Sequence, residues 1–148
     1  MHLEDAARVL DAADFFSICN MEQKRMLAFA SERRVLRPGE VLFRKGDVVP
    51  GAFVLMSGSL TSIDKEGASN EISVPGTVVA ELALVTSHPR RATLTAQSEA
   101  ELLMVPRDTF MKLMQQFPDV AELALRRVHS DLKSFVDPIT QVRGKIKK

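Results

Sequence analysis

The stretch VVAELALVTSHPRRATLTA, residues 78–96, places charged side chains inside an otherwise apolar segment. Glu81 interrupts the first apolar run, and Arg90 and Arg91 follow among small residues after a short polar loop. An isolated charge in an apolar interior carries a penalty of several kcal/mol even after relaxation. Such side chains must pair with one another, reach water or meet a ligand, and the residues alone leave these alternatives open.

The same stretch contains the components of a phosphate site. Residues 82–85 can form one turn of helix, and the first backbone N–H groups of that turn, near Leu82 and Ala83, would lack intrahelical acceptors and favour an anion. The planar guanidinium of an arginine matches phosphate oxygens with two hydrogen bonds, and Glu81 could accept from a sugar hydroxyl. The small residues that leave room for a ligand are Ala80, Ala83, Ala92 and Thr93. A phosphate and a ribose together predict a nucleotide.

The surrounding sequence, residues 35–105, consists of short apolar runs separated by turn residues such as Gly46-Asp47 and Pro75-Gly76. This spacing predicts many short strands in a compact antiparallel roll or barrel. The expected fold class is α+β, with an antiparallel β-roll of the double-stranded β-helix or jelly-roll type. The candidate strands are residues 41–43, 52–56, 60–63, 71–74, 92–96 and 102–105.

Predicted helices flank the β-roll on both sides. Asn20 is a candidate N-cap, with Gln23 three residues later as in a capping box. Pro106 ends the β region, and Pro118 separates two C-terminal helices. We expect a single domain made of a helical prefix (1–32), the β-roll (33–106, including the phosphate stretch 80–96), C-terminal helices (107–137) and a basic tail (138–148).

The second C-terminal helix carries an apolar stripe with alternating steps of four and three residues. A stripe of this length packs on its own domain or forms a homodimer seam, and both interpretations stay open. Its members are Ala121, Leu125, Val128, Leu132 and Phe135.

Composition excludes several classes of function. Lysine and arginine total 20 against 19 acidic residues, a net charge of +1, which argues against a general binder of polyanions. Cys19 is the only cysteine, so an internal disulfide and a multi-cysteine metal site are excluded. The sequence lacks a signal-peptide segment and a membrane-spanning apolar run, so we expect a cytoplasmic protein without a membrane partner.

No catalytic motif is visible in the sequence. His2, His88 and His129 have no paired spacing for a metal ion, and the nucleophile-elbow and Walker-type motifs are absent. We therefore expect a non-enzyme that has neither a metal nor a cofactor.

Residues 33–135 resemble the cyclic nucleotide-binding domain of kinase regulatory subunits, cyclic-nucleotide-gated channels and catabolite-activator-type transcription factors. The most specific part is the family's phosphate-binding cassette, which here runs from Glu81-Leu82-Ala83-Leu84 to Pro89-Arg90 and Ala96. The other landmarks, in order, are Pro38-Gly39-Glu40, Phe43, Gly46-Asp47, Phe53-Val54-Leu55, Gly58-Ser59-Leu60 and Pro75-Gly76.

The resemblance implies a role for each cassette residue. Glu81 would hold the ribose 2′-hydroxyl, Arg90 the cyclic phosphate, and the main chain near Ala83 and Ala92 would donate to phosphate oxygens. The family's spacing from the arginine to a downstream alanine fits Arg90 better than Arg91, which could assist.

Two cassette positions depart from the family pattern. Ala80 stands where the family has glycine, so a left-handed backbone there would cost about 1 kcal/mol or more. Arg91 stands where the family generally has alanine, serine or threonine, and it could clash with a base or contact it. In the family a later helix often closes over the base; Arg126 and Arg127 are the candidates for a cation over the purine, the alternative being solvated charges.

The resemblance implies a stand-alone regulatory sensor that binds cAMP or cGMP and moves its C-terminal helices, with Pro106 and Pro118 near the hinges. The alternative is a degenerate β-roll that acts as an interaction or dimerisation module. Too few residues follow Phe135 for a helix-turn-helix, so we expect no direct DNA binding.

Overall fold

The computed structural model describes residues 2–129. The helices are α1 (Leu3–Ala12), α2 (Met21–Ala30), α3 (Arg107–Gln116) and α4, whose described part covers residues 118–129. The strands are β1 (Glu32–Leu36), β2 (Val41–Phe43), β3 (Gly51–Ser57), β4 (Leu60–Asp64), β5 (Ser69–Ile72), β6 (Val78–Val79), β7 (Ala92–Ala96) and β8 (Ala100–Pro106). Two short 3₁₀ helices cover Asp14–Ile18 and Glu81–Leu84; we call the second the cassette turn.

The strands form two four-stranded antiparallel sheets. The first has the order β1-β8-β3-β6 and the second the order β2-β7-β4-β5. The helices lie before, between and after the strands, as expected for an α+β chain. The fold class predicted from the turn spacing, an α+β β-roll, is therefore confirmed.

The main differences between the predicted and the observed strands concern β5, β8, β6 and β1. β5 and β8 each begin two residues earlier than predicted, at Ser69 and Ala100, and the two-residue strand β6 was not predicted. β1 was not among the predicted strands, because its Glu32-Arg33-Arg34 sequence has no apolar alternation. It is held at the sheet edge by pairing with β8, where Arg33 forms an ion pair with Glu101 at 2.6 Å.

Two apolar cores hold the elements together. The first joins α1, α2 and the C-terminal helices to the outer face of the first sheet, and Phe16 and Phe110 meet there with ring centroids 6.3 Å apart. The second lies between the sheets, where the rings of Phe43 and Phe53 are 6.1 Å apart. Burial of each such ring stabilises the fold by about 1.5–3 kcal/mol.

The start of α2 confirms the sequence signal at Asn20. Its side chain accepts a hydrogen bond from the Gln23 N–H, and the Gln23 side chain accepts from the Asn20 N–H, both at 2.8 Å. This reciprocal capping box satisfies two N–H groups that the helix leaves unpaired, and it fixes where α2 begins.

Helix α4 begins at Pro118, and its buried face shares only Val128 with the predicted stripe among the described residues. Val120, Ala124 and Val128 are the buried residues, spaced by four on one side of the helix. Among the described members of the predicted stripe, Val128 is buried and Leu125 is 56% exposed, so Leu125 is not part of the core. Leu132 and Phe135 lie outside the described residues. Within residues 2–129, no helix is long and apolar enough to cross a membrane.

Candidate functional site

A cavity of about 380 Å³ lies where the cassette turn meets the second sheet. Six of the nine residues predicted for the site line it together: Ala80, Glu81, Leu82, Arg90, Arg91 and Ala92. The sheets contribute further lining residues, including Phe43, Ser62, Asp64, Asn70, Ile72, Val79 and Leu94. Helix α4 contributes Val128. The residues selected from residues 78–96 therefore converge on one cavity.

The backbone conformation of Ala80 sets the direction in which the chain enters the cassette turn. Its backbone is left-handed, with φ 60° and ψ 35°, and among residues 2–129 it is the one non-glycine residue with positive φ. The Ala80 carbonyl accepts from the Ala83 N–H at 2.9 Å, which closes the turn, and Ala83 and Leu84 are buried beneath it. The methyl group at Ala80 costs about 1–2 kcal/mol relative to a relaxed backbone.

Arg90 is fixed by its main chain to the loop between β2 and β3. Its N–H donates to the Asp47 carbonyl and its own carbonyl accepts from the Gly46 N–H, both at 2.8 Å. The positive φ of Gly46, 92°, explains the glycine in this turn, and the two bonds join the turn to the cassette. They hold the backbone of Arg90 at the cavity wall.

The guanidinium of Arg90 has unused hydrogen-bonding capacity. Its Nη2 donates to the His88 carbonyl at 3.1 Å. Its Nε is buried and, among the described residues, has no hydrogen-bond acceptor. A buried donor without an acceptor costs about 1–3 kcal/mol, so this group suits an acceptor supplied from the cavity.

The electrostatic environment of Arg90 is positive. Burial lowers its pKa from the ordinary value, and the charges of Arg91 and Arg107 lower it further. Like charges beside a partly buried cation disfavour its charged form, and a bound anion relieves that repulsion. This end of the cavity is therefore suited to a negatively charged group.

Arg107 lies outside the cavity lining but contacts the cassette turn, and it was not among the predicted site residues. As the first residue of α3 it donates through Nη1 to the carbonyls of Val49, Ala83 and Thr86 at 3.0, 3.2 and 3.4 Å. The sequence contained one signal for Arg107. A cation in the first turn of a helix opposes the helix dipole, which indicates that another contact holds the side chain there.

Glu81 and Arg91 occupy opposite ends of the cassette sequence and face the same cavity. Glu81 is half-buried at the first position of the cassette turn, whereas Arg91 is exposed immediately before β7. Ala83 is buried within the turn, and its side chain is not part of the lining.

The structure does not bring Arg126 and Arg127 to the cavity. Arg126 pairs with Glu122 one turn earlier in α4, at 2.6 Å, and Arg127 pairs with Asp14 of the first 3₁₀ helix. In the described part of α4, Val128 is the residue that reaches the cavity lining. No cluster of metal-binding side chains occurs in residues 2–129.

The sequence pattern of the cyclic nucleotide-binding domain family matches residues 33–117, more than half of the chain. The chain belongs to the cyclic nucleotide-binding domain family. The match runs from within β1 to the end of α3 and includes the whole cassette of this cyclic nucleotide-binding domain.

The chain is similar to several known proteins. The chain is 30% identical over 113 residues to lysophospholipase nte1 from Neurospora crassa, a match that covers 74% of this chain and 8% of the relative. It is similar to a solved cyclic nucleotide-binding-like protein from Brucella abortus, with 31% identity, a TM-score of 0.65, and coverage of 75% of this chain and 98% of that one.

A third comparison concerns the fold alone. The cAMP-bound PfPKA-R structure superimposes with a TM-score of 0.74 at 20% identity, covering 93% of this chain and 47% of that chain. Because the chain spans about 8% of the length of the fungal lysophospholipases it matches, the match concerns a small part of those enzymes.

Proposed function

We propose that this domain binds cAMP or cGMP in the 380 Å³ cavity and acts as a regulatory sensor. Arg90 holds the cyclic phosphate, and Glu81 accepts from the ribose 2′-hydroxyl. Main-chain N–H groups near Ala83 and Ala92 donate to phosphate oxygens, the Ala83 N–H itself being bonded to the Ala80 carbonyl. The observation that carries the proposal is the buried Nε of Arg90, which has no acceptor among the described residues and lies at a positively charged end of the cavity.

The size and walls of the cavity support a nucleotide. Small-molecule sites typically enclose about 300–1,000 Å³ between apolar walls that carry a few polar groups. Ile72, Val79 and Val128 supply apolar surface for a purine ring, while the cassette supplies the polar groups for phosphate and sugar. This division matches the chemistry of a cyclic nucleotide.

Two contacts connect the cavity and the cassette turn with the C-terminal helices. Val128 connects the cavity with α4, and Arg107 connects the cassette turn with α3. A ligand that favours one arrangement of these contacts shifts the C-terminal helices toward it. We propose Pro106 and Pro118, at the two ends of α3, as the hinge positions, and the cytoplasm as the compartment in which the nucleotide is sensed.

Thermal unfolding with and without nucleotide tests the proposal. At a free ligand concentration of about a hundred times Kd, binding adds about 2.7 kcal/mol of stability, a rise of about 5–10 °C in Tm for a chain of this size. We expect this rise for the wild type and its loss in Arg90→Ala and Glu81→Ala. Arg37→Ala, an exposed arginine outside the cavity, is the matched control and keeps the full rise.

Two results would contradict nucleotide binding. The first is a wild-type Tm that neither cAMP nor cGMP changes at millimolar concentration. The second is a rise that survives in Arg90→Ala while circular dichroism shows that the variant is folded.

A second candidate function is a degenerate β-roll that serves as an interaction module. Leu123 and Leu125 of α4 are 42% and 56% exposed, and the strained Ala80 departs from the family's glycine. A homodimer through α4 is the specific form of this proposal. Sedimentation of the wild type beside Leu125→Glu tests it: dimerisation in the wild type and its loss in the variant support the module, and a monomer at all concentrations contradicts it.

A further inference from the structure

Three polar side chains face the cavity without belonging to the cassette. Ser62 and Asp64 lie on β4 and Asn70 lies on β5. The register places them together, because Ser62 is the cross-strand partner of Asn70 and Asp64 is two residues further along the same face. We call these residues the polar wall.

The polar wall interrupts an inner sheet face that is otherwise apolar. Leu60 precedes Ser62 on the same face of β4, and Leu94 of β7 pairs with Ser62; both leucines are buried. Polar groups that face a cavity are costly unless they meet water or the polar atoms of a ligand. Ser62 and Asp64 are half-buried and Asn70 is exposed, so the polar wall is open to water and can meet the polar atoms of a bound molecule.

The carboxylate of Asp64 is held in a fixed orientation. Its Oδ1 accepts from the backbone N–H groups of Glu66 and Ala68, both at 2.9 Å, in the turn that joins β4 to β5. Neither of these bonds uses Oδ2. An ionised carboxylate can only accept hydrogen bonds, so Asp64 favours a ligand that places a hydrogen-bond donor beside it.

The inference that follows rests on the proposed nucleotide site. If Arg90 holds the phosphate and Glu81 the ribose, the base must occupy the remaining space, between apolar surface such as Ile72 and the polar wall. We propose that Asp64 and Asn70 contact the Watson–Crick edge of the base and make the domain selective for a guanine nucleotide, cGMP over cAMP.

The chemistry of the two purines supports guanine. Guanine presents an N1–H and an exocyclic N2–H₂ group side by side, so two adjacent donors can meet the Asp64 carboxylate and the Asn70 side-chain oxygen. Adenine presents one N6–H₂ donor beside an unprotonated N1, whose lone pair would face the carboxylate. The wall thus attracts guanine and repels one edge atom of adenine, and specificity commonly combines both effects.

Competitive titration of cGMP against cAMP tests the selectivity. We expect the wild type to bind cGMP at least about tenfold more tightly. Asp64→Asn keeps an oxygen for the turn but replaces the second acceptor by a donor, so it should weaken cGMP at least tenfold and leave cAMP unchanged or tighter. Asn70→Ala should lower the preference in the same direction.

The control variant is Glu66→Gln, which removes a negative charge from the same turn outside the cavity lining. It should keep the wild-type ratio of affinities. A wild type that binds both nucleotides equally, or an Asp64→Asn variant that keeps the wild-type ratio, overturns the selectivity and leaves nucleotide binding intact. A wild type that binds neither nucleotide overturns both proposals.

Discussion

Arg107, the first residue of α3, donates from Nη1 to the Ala83 carbonyl oxygen at 3.2 Å. The same nitrogen reaches the Val49 carbonyl at 3.0 Å, and the Arg107 N–H donates to the Pro50 carbonyl at 2.8 Å. One side chain therefore joins the cassette turn, the loop before β3 and the C-terminal helices. These bonds connect the cassette turn directly to the start of α3.

Arg107→Ala should lower the free energy of unfolding by about 1.5–3 kcal/mol, because hydrogen bonds from a charged donor to part-buried carbonyls are lost. Urea denaturation measures the change. Arg126→Ala removes an exposed arginine whose pair with Glu122 spans one helical turn, so it should cost about 0.5 kcal/mol or less. Equal losses in the two variants would show that Arg107 has no special structural role.

Ala80→Gly should stabilise the domain by up to about 1 kcal/mol, because it removes a methyl group from a left-handed backbone at φ 60°. The greater freedom of glycine in the unfolded chain offsets part of this gain. Ala68→Gly is the matched control, since Ala68 is an exposed loop alanine without positive φ. It should destabilise by about 0.4–1 kcal/mol, and the same sign for both variants in urea denaturation would contradict the strain at Ala80.

The sequence was most informative where its signals are local. The capping box at Asn20 could be predicted from a spacing of three residues, and the convergence of Glu81 and Arg90 could be predicted from a short motif. The acceptors of Arg107 could not be predicted, because Val49 and Ala83 lie on segments that are distant from α3 in the sequence. The burial of Val120 rather than Leu125 depends on how α4 is rotated against the sheet, which a short stripe does not determine.

The grouping of the polar wall could not be predicted from the sequence either. Ser62 and Asn70 are adjacent only through the β4–β5 register, and an alternating strand sequence does not tell which side faces a cavity. β1 was missed because its pairing with β8 is long-range and because its exposed, charged residues show no apolar alternation.

Cys19 should make stability fall in alkaline solution. Burial raises the pKa of its thiol from 9.0 to about 11, although the nearby charge of Lys24 lowers it slightly. The unfolded chain loses this proton near pH 9 and the folded chain only near pH 11, so the contribution is complete below pH 9 and is lost as pH rises toward 11. Urea denaturation from pH 8 to pH 11 measures the loss.

The control for this pH dependence is Cys19→Ala. Other groups titrate in the same range, so the quantity of interest is the difference between wild type and variant at each pH. That difference should shrink as pH rises, and a constant difference would contradict the buried thiol. In the folded wild type, thiol reagents at pH 8 should react with Cys19 far more slowly than with free cysteine.

The ion pair between Asp14 and Arg127 provides a direct test of whether α4 moves. It joins the first 3₁₀ helix to α4, and Arg127 precedes Val128, whose side chain lines the cavity. The side chain of Asp14 is 87% exposed, so the pair should be weak. A double-mutant cycle with Asp14→Ala and Arg127→Ala should give a coupling energy of only about 0.2–1 kcal/mol without nucleotide, decreasing with salt.

If a bound purine draws Val128 inward, Arg127 shifts relative to Asp14, and the coupling measured at saturating cAMP or cGMP should differ from the value without ligand. The same coupling in both states, with binding confirmed by the rise in Tm, would mean that α4 stays in place when the cavity fills.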